Sequence, residues 1–280
     1  MRQVLPPLPT GSCDAHMHLY APGPHLRDAP FAVPDGNLAR YRELMTRLGI
    51  SRVVLVQSML YGTDNDVMLG GLAALGLQVA RGIAVTRADA PGRLWDDLAS
   101  SGVCGVRAFM MPGGIFAWEE LPRLAARLAD RGWQMQLQMD GREIAARETL
   151  LSDLPCSLVV DHVGKFIEPV LPNHPAFVAL LRLVANGRVW IKLSGLYETS
   201  RSGAPDYADI AILARRLAAE APDRMLWASN WPHPNAKEPV DDTRLVRLAA
   251  SLTDNDDARW RLFVGNAAKL FGFVERTVAA

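Results

Sequence analysis

The run Ser12–Tyr20, SCDAHMHLY, places His16 and His18 two residues apart in an otherwise largely apolar stretch close to the N-terminus. Residues two apart on a β-strand project to the same face, so a strand over Cys13–Tyr20 would hold the two imidazoles side by side. Two neighbouring imidazoles can bind a metal ion or donate hydrogen bonds to a developing oxyanion. A lone His-x-His is also a common accident, two satisfied polar residues in an apolar strand. The pattern of the remaining chain gives it weight.

Seven more strand-like runs succeed it: Arg52–Gln57, Val79–Val85, Gly105–Met110, Gln134–Met139, Ser157–Val163, Val189–Ser194 and Met225–Ser229. Amphipathic segments separate them: Leu38–Leu48, Asp66–Leu75, Arg93–Ser100, Trp118–Asp130, Arg142–Leu151, Pro175–Val184, Tyr207–Ala219 and, last, Asp241–Ser251. In Trp118–Asp130 the residues Leu121, Leu124, Ala125 and Leu128 recur at helical spacing, with Glu119, Glu120, Arg123 and Arg127 outside that stripe. Glycines at 49, 76, 132 and 187 fall where left-handed C-caps belong. Eight strand–helix pairs predict an α/β fold, a single-domain (β/α)8 TIM barrel over residues 1–280. An open doubly wound sheet is the alternative, but it usually carries a Gly-rich phosphate loop after its first strand, and HMHLYAPGPH is not one. No linker, repeat or low-complexity tract interrupts the pattern.

Bulk properties narrow the function. The 280 residues are 49% apolar, enough for a large core, and 30 basic residues balance 30 acidic ones, which gives no nucleic-acid footprint. No apolar run is long enough for a membrane span, and MRQVLPPLPTG lacks the apolar core of a secretory signal, so a cytoplasmic protein is expected. Cys13, Cys104 and Cys156 fit no zinc module and read as buried, inert thiols.

A barrel of this kind carries its chemistry at the C-terminal ends of the strands. Those ends hold His16 and His18 on strand 1, Arg107 on strand 4, His162 on strand 6, and Asn230 with His233 just past strand 8. His162, as the last inward position of strand 6, is expected to meet the strand-1 pair; alternation turns Asp161 the other way, toward a structural role. Arg107 sits inside an apolar strand and so needs a buried partner; together with Arg201, after strand 7, it suits bidentate binding of carboxylates. Tyr61 and Tyr197 lie in loops after strands 2 and 7, while His25 and His174, in Pro-rich loops, read as surface residues.

The stretches DAHMH, VVDHVGK, KLSGLYETSR and WASNWPHPN resemble, in order and spacing over essentially the whole chain, the amidohydrolase-2 group of the amidohydrolase superfamily. VVLVQSMLYGTDN narrows the resemblance to its lactone-processing branch. That resemblance implies a small carboxylated lactone as substrate, of the pyrone-dicarboxylate or aldarolactone type, with no obligatory metal. It also implies substrate contacts at Arg107, Arg201, Ser58 and Asn235, with His16, His18 and His162 polarising the carbonyl. An arginine the branch carries shortly after strand 4 is replaced here by MMPGG, which shifts the expectation toward a sugar-acid lactone.

Metal-binding members of the superfamily use, besides His-x-His, a Lys on strand 4, histidines on strands 5 and 6 and an Asp on strand 8. Here those places hold Arg107, the histidine-free QMQLQMD and Asn230. The expectation is therefore no cofactor. Zinc on His16, His18 and His162 is the alternative, which would make the protein a metal-dependent hydrolase or decarboxylase. Asn230 stands where a lactonase has its base, and an amide cannot take a proton at neutral pH. A histidine that carries the proton, an inactivating replacement, an isomerase that uses a substrate hydroxyl, and a non-catalytic lactone-binding protein all remain open. NAAKLFGF resembles the family's closing helix, with Phe271 and Phe273 expected to pack.

Overall fold

The computed structural model describes residues 8–21 and 33–274. Eight parallel strands pair in chain order: β1 (Cys13–Met17), β2 (Arg52–Val56), β3 (Ala80–Ala84), β4 (Val103–Phe109), β5 (Gln134–Gln138), β6 (Leu158–Val160), β7 (Val189–Leu193) and β8 (Met225–Trp227). A parallel bridge between Met17 and Trp231 joins the two ends of the sheet. His18 N–H donates to Trp231 O at 2.8 Å, and Asn230 N–H to His16 O at 2.9 Å. Consecutive strand order with this joining excludes the doubly wound sheet, whose order reverses midway.

The helices are α1 (Leu38–Leu48), α2 (Asp66–Leu75), α3 (Gly92–Ser100), α4 (Leu121–Ala129), α5 (Ile144–Asp153), α6 (Pro175–Ala185), the one-turn α7 (Leu196–Thr199), α8 (Ala208–Glu220), α9 (Asp242–Ser251), α10 (Asp256–Trp260) and α11 (Asn266–Phe271). In α4 the stripe Leu121, Leu124, Ala125 and Leu128 is wholly buried; each leucine adds roughly 1.5–3 kcal/mol of burial. α1 starts on Asn37, whose side chain accepts from Arg40 N–H, and stops at Gly49 in the left-handed region at φ 76°.

Alternation along the strands divides the barrel interior into two zones. Cys13, Ala15, Val54, Val56, Ile83, Val159 and Leu226 form an apolar cluster with Ala267, Phe271 and Phe273 of the C-terminal segment. Arg52 and Arg81 donate to Val274 O and Gly272 O, which ties that segment to the starts of β2 and β3. The apolar end is thus plugged, and the polar residues collect at the other. All three thiols are free, and burial raises their pKa values, Cys104 to about 12 and Cys156 to about 11, so none is a nucleophile. Among the described residues no helix is long and apolar enough to cross a membrane.

Two strands stop earlier than their apolar runs. β1 ends at Met17, one residue before His18. β6 ends at Val160, and the chain then turns through His162, Val163, Gly164 and Lys165, all at positive φ (52°, 57°, 88° and 49°). Such values in a β-branched residue mark a backbone held by its surroundings.

Candidate active site

A cavity of about 360 Å³ opens at the C-terminal ends of the strands. His18, Tyr20, Ser58, Arg107, Gln138, His162, Lys165, Glu198, Asn230 and Asn235 give it its polar lining, and Met59, Phe109, Met111 and Ile167 add apolar wall. The three imidazoles converge: the His16 ring lies 4.7 Å from that of His18 and 4.9 Å from that of His162.

Beneath the cavity lies a fully buried ionic floor. Lys192 of β7 places its ammonium 2.7 Å from His16 Nδ1, 2.5 Å from Gln136 Oε1 and 3.0 Å from Asp161 Oδ1. His16, Gln136 and Lys192 come from odd-numbered strands, the arrangement that fills one interior layer of such a barrel. Burial, opposed by Asp161, lowers the Lys192 pKa to about 8. Burial alone would raise Asp161, but Lys192, His162 and Arg107 outweigh it and hold that carboxyl below its usual range.

The charge on Lys192 fixes the imidazole protons by hydrogen-bond logic. The ammonium donates to His16 Nδ1, so the His16 proton sits on Nε2. His16 Nε2–H donates to His18 Nε2 at 3.1 Å, and His18 Nδ1–H donates to Val56 O at 2.7 Å. Both His18 nitrogens are thereby engaged. Burial drives all three imidazoles to the neutral form, His18 to a pKa of about 3. His162 Nδ1 meets Ser194 Oγ at 2.9 Å, which leaves Nε2 as the ring nitrogen free for the cavity.

His16, Asp161 and His162 also have donor atoms within 4.8 Å of one another, the raw material of a metal site. They do not fit one. Two of the three donors face the Lys192 ammonium, which supplies positive charge where a divalent ion would sit.

Around the rim, a second network holds Asn230, itself at φ 58°. Its amide Nδ2 donates to Glu198 Oε1 and, at 2.9 Å, to Tyr197 OH. Tyr197 OH pairs with His233 Nδ1, and His233 Nε2 with Asp242 Oδ1 at the start of α9. A carboxylate only accepts, so Glu198 sets the orientation of the Asn230 amide. Asn230 Oδ1 is buried and has no donor among the described residues. The other Glu198 oxygen pairs with Lys165. Burial, followed by the Arg107 charge, brings the Lys165 pKa down to about 7.

The structure separates the residues singled out from sequence. His18, His162, Asn230, Ser58, Arg107 and Asn235 line the cavity. His16 lies below it, Tyr197 and His233 stand behind Asn230, and Tyr61 lies behind Tyr20, ring centroids 6.3 Å apart. Arg201 is exposed, paired with Glu168 and away from the lining. Arg107 finds its partners in Gln57 O (3.1 Å), Gln138 Oε1 and, at 3.7 Å, Asp161. His174 caps α6 by accepting from Ala176 N–H, and His25 falls outside the described residues.

Asp161 corrects the sequence expectation. It does not turn outward to a purely structural place; it pairs with Lys192 and Arg107 under the cavity. The reason is that Val159 is the inward residue of β6, so alternation carries Asp161 inward too, in register with Lys192. It is His162 that departs from alternation, reaching the cavity through the turn at 162–165. Lys165, Glu198 and Lys192 were missed. Lys192 carried a usable signal, because a lysine inside VWIKL needs a buried partner by the same argument that picks out Arg107.

Comparison with known proteins places the chain. The Amidohydrolase family model matches residues 13–273. D-galactarolactone isomerase of Agrobacterium fabrum (strain C58) is 35% identical over 95% of this chain and 92% of its own length. The 2-pyrone-4,6-dicarboxylate hydrolase of Comamonas testosteroni is 30% identical over 94% and 91%. A ligand-free crystal structure from Agrobacterium tumefaciens superposes with a TM-score of 0.90 at 34% identity, covering 97% of this chain and 99% of that one. The protein belongs to the amidohydrolase family.

Proposed function

We propose that the protein hydrolyses the ring ester of a small carboxylated lactone without a bound metal. The observation that carries this reading is the convergence of His162, Arg107, Lys165 and Asn230 on one cavity. Arg107 and Lys165 outnumber the single lining carboxylate, Glu198, so the cavity suits an anionic ligand. A neutral His162 with its proton on Nε2 can donate to the ring carbonyl as negative charge develops there, a contribution of about 3–4 kcal/mol for a well-aimed donor. The relatives named for a galactarolactone and a pyrone dicarboxylate support the substrate class.

Asn230 favours a second reading, isomerisation. Its unsatisfied Oδ1 can accept from a substrate hydroxyl as readily as from water, and that hydroxyl attacking the carbonyl would move the ring without consuming water. The 35% relative supports this reading. A panel of aldarate and pyrone-dicarboxylate lactones, followed by NMR in 18O-labelled water with and without chelator, separates the two. Hydrolysis gives a labelled open-chain acid and isomerisation an unlabelled ring of new size, both undiminished by chelator. Failure of this protein and of Asn230→Asp on every lactone would sink the proposal.

A further inference from the structure

We propose that Glu198 is the proton acceptor of this site, a carboxylate supplied by α7 after β7 in place of one at the end of β8. The proposal rests on the lactone reading and names the group that reading lacks. Four observations lead to it.

First, Glu198 is the one carboxylate among the described residues that line the cavity. Second, its side chain is only 2% exposed and is built in on both oxygens, by Asn230 Nδ2 on one and Lys165 on the other. Third, the other nitrogen and oxygen bases there are engaged or weak. His18 has both nitrogens occupied, His162 is held on Ser194, burial depresses both imidazoles, the Lys165 amine is turned onto Glu198 itself, and the Asn230 amide cannot take a proton. Fourth, Asn230 presents Glu198 with one end of its amide and leaves Oδ1, an acceptor without a donor, at the other. A nucleophile whose one O–H is held by Asn230 Oδ1 is thus bound by the same amide that holds the carboxylate.

The step balances. The nucleophile, water or a substrate hydroxyl, gives its proton to Glu198 as its oxygen bonds to the lactone carbonyl carbon. The carbonyl π pair moves onto oxygen. When the tetrahedral adduct collapses, the ring C–O bond breaks and the proton passes from Glu198 to the departing ring oxygen. Glu198 ends the cycle ionised, with no other reactant consumed. Lys165 holds the second carboxylate oxygen in place between turnovers, and Tyr197, which also accepts from Asn230 Nδ2, keeps the amide turned so that Nδ2 faces Glu198.

Glu198→Gln tests this on the lactone that the wild type turns over. Loss of a general base lowers kcat by roughly 10²- to 10⁴-fold, and we expect a loss in that range with KM little changed. The double variant Glu198→Gln/Asn230→Asp restores a carboxylate from the strand end and should regain at least about tenfold of the loss, which a merely structural role for Glu198 would not allow. A Glu198→Gln enzyme that is folded and within about threefold of wild-type kcat overturns the proposal and leaves the lactone reading standing. Absence of wild-type turnover on any lactone fells the lactone reading, and Glu198 is then judged in the resting protein. In 13C-carboxyl-Glu spectra, with its signal assigned by difference from Glu198→Gln, an ionised Glu198 at neutral pH supports the proposal and a protonated one overturns it.

Discussion

Lys192 shows how much one side chain can settle. Its ammonium lies in a region with no water contact, which is tolerable only because Asp161, Gln136 and His16 meet it at 3.0, 2.5 and 2.7 Å. Replacing Lys192 with Met keeps the volume but leaves the Asp161 carboxylate without its closest cation. Breaking one half of a buried pair costs about 3–5 kcal/mol, and the urea midpoint of Lys192→Met should fall accordingly. Asp161→Asn added to it should recover part of the loss. A Lys192→Met protein as stable as wild type would show that the pair carries no such weight. The same residue marks a limit of reading by sequence. Its place inside VWIKL signals that it needs a buried partner, as for Arg107, but which partners those are shows only when β1, β5 and β7 are brought into one layer.

At the scale of elements, the turn after β6 and the one-turn helix α7 set the reacting groups. Gly195, the residue before α7, is left-handed at φ 62°, and a Cβ there would lie 2.8 Å from His162 Nδ1. Gly195→Ala should therefore push the imidazole off Ser194. The backbone change alone costs about 1 kcal/mol of stability, while kcat should fall more steeply, by about tenfold or more for a carbonyl donor moved out of line. Parallel stability and kinetic measurements check it; unchanged kcat would show that the His162 position is not critical. Helix and strand periods in the sequence located nearly every element here, because both periods arise from faces buried against a core. The turn at residues 162–165 was not legible, since nothing in VVDHVGK announces four successive positive φ values. His162 reaches the cavity only through that turn, so taking it for an inward strand position put Asp161 on the wrong face, and Lys165 was missed with it.

The molecule as a whole carries three imidazoles that its fold keeps neutral. Burial lowers the pKa values of His16, His18 and His162 in the folded state, whereas the unfolded chain titrates near 6.5. Below that value the unfolded state takes up protons that the native state refuses, so stability present above about pH 6.5 is lost as the pH falls, for His18 down to about 3. Urea midpoints should therefore drop from neutrality toward pH 5, with a slope of up to about 1.4 kcal/mol per pH unit for each imidazole. Midpoints that stay flat across that range would contradict the burial of these rings. The eight-strand plan was visible in the sequence from end to end; the seam that closes it was not.

That seam has a consequence for how the chain comes into being. Asp14 accepts from Ser229 N–H at 2.9 Å and from the Ser229 hydroxyl, and His18 N–H finds its acceptor on Trp231. The partners lie 215 residues apart for Asp14 and Ser229. At ribosomal speeds of 5–20 residues per second, the first strand waits roughly 10–40 s for the last one to emerge. Throughout that interval the nascent polypeptide exposes an unpaired strand edge bearing both histidines, and its pocket stays unfinished until synthesis has passed Trp231.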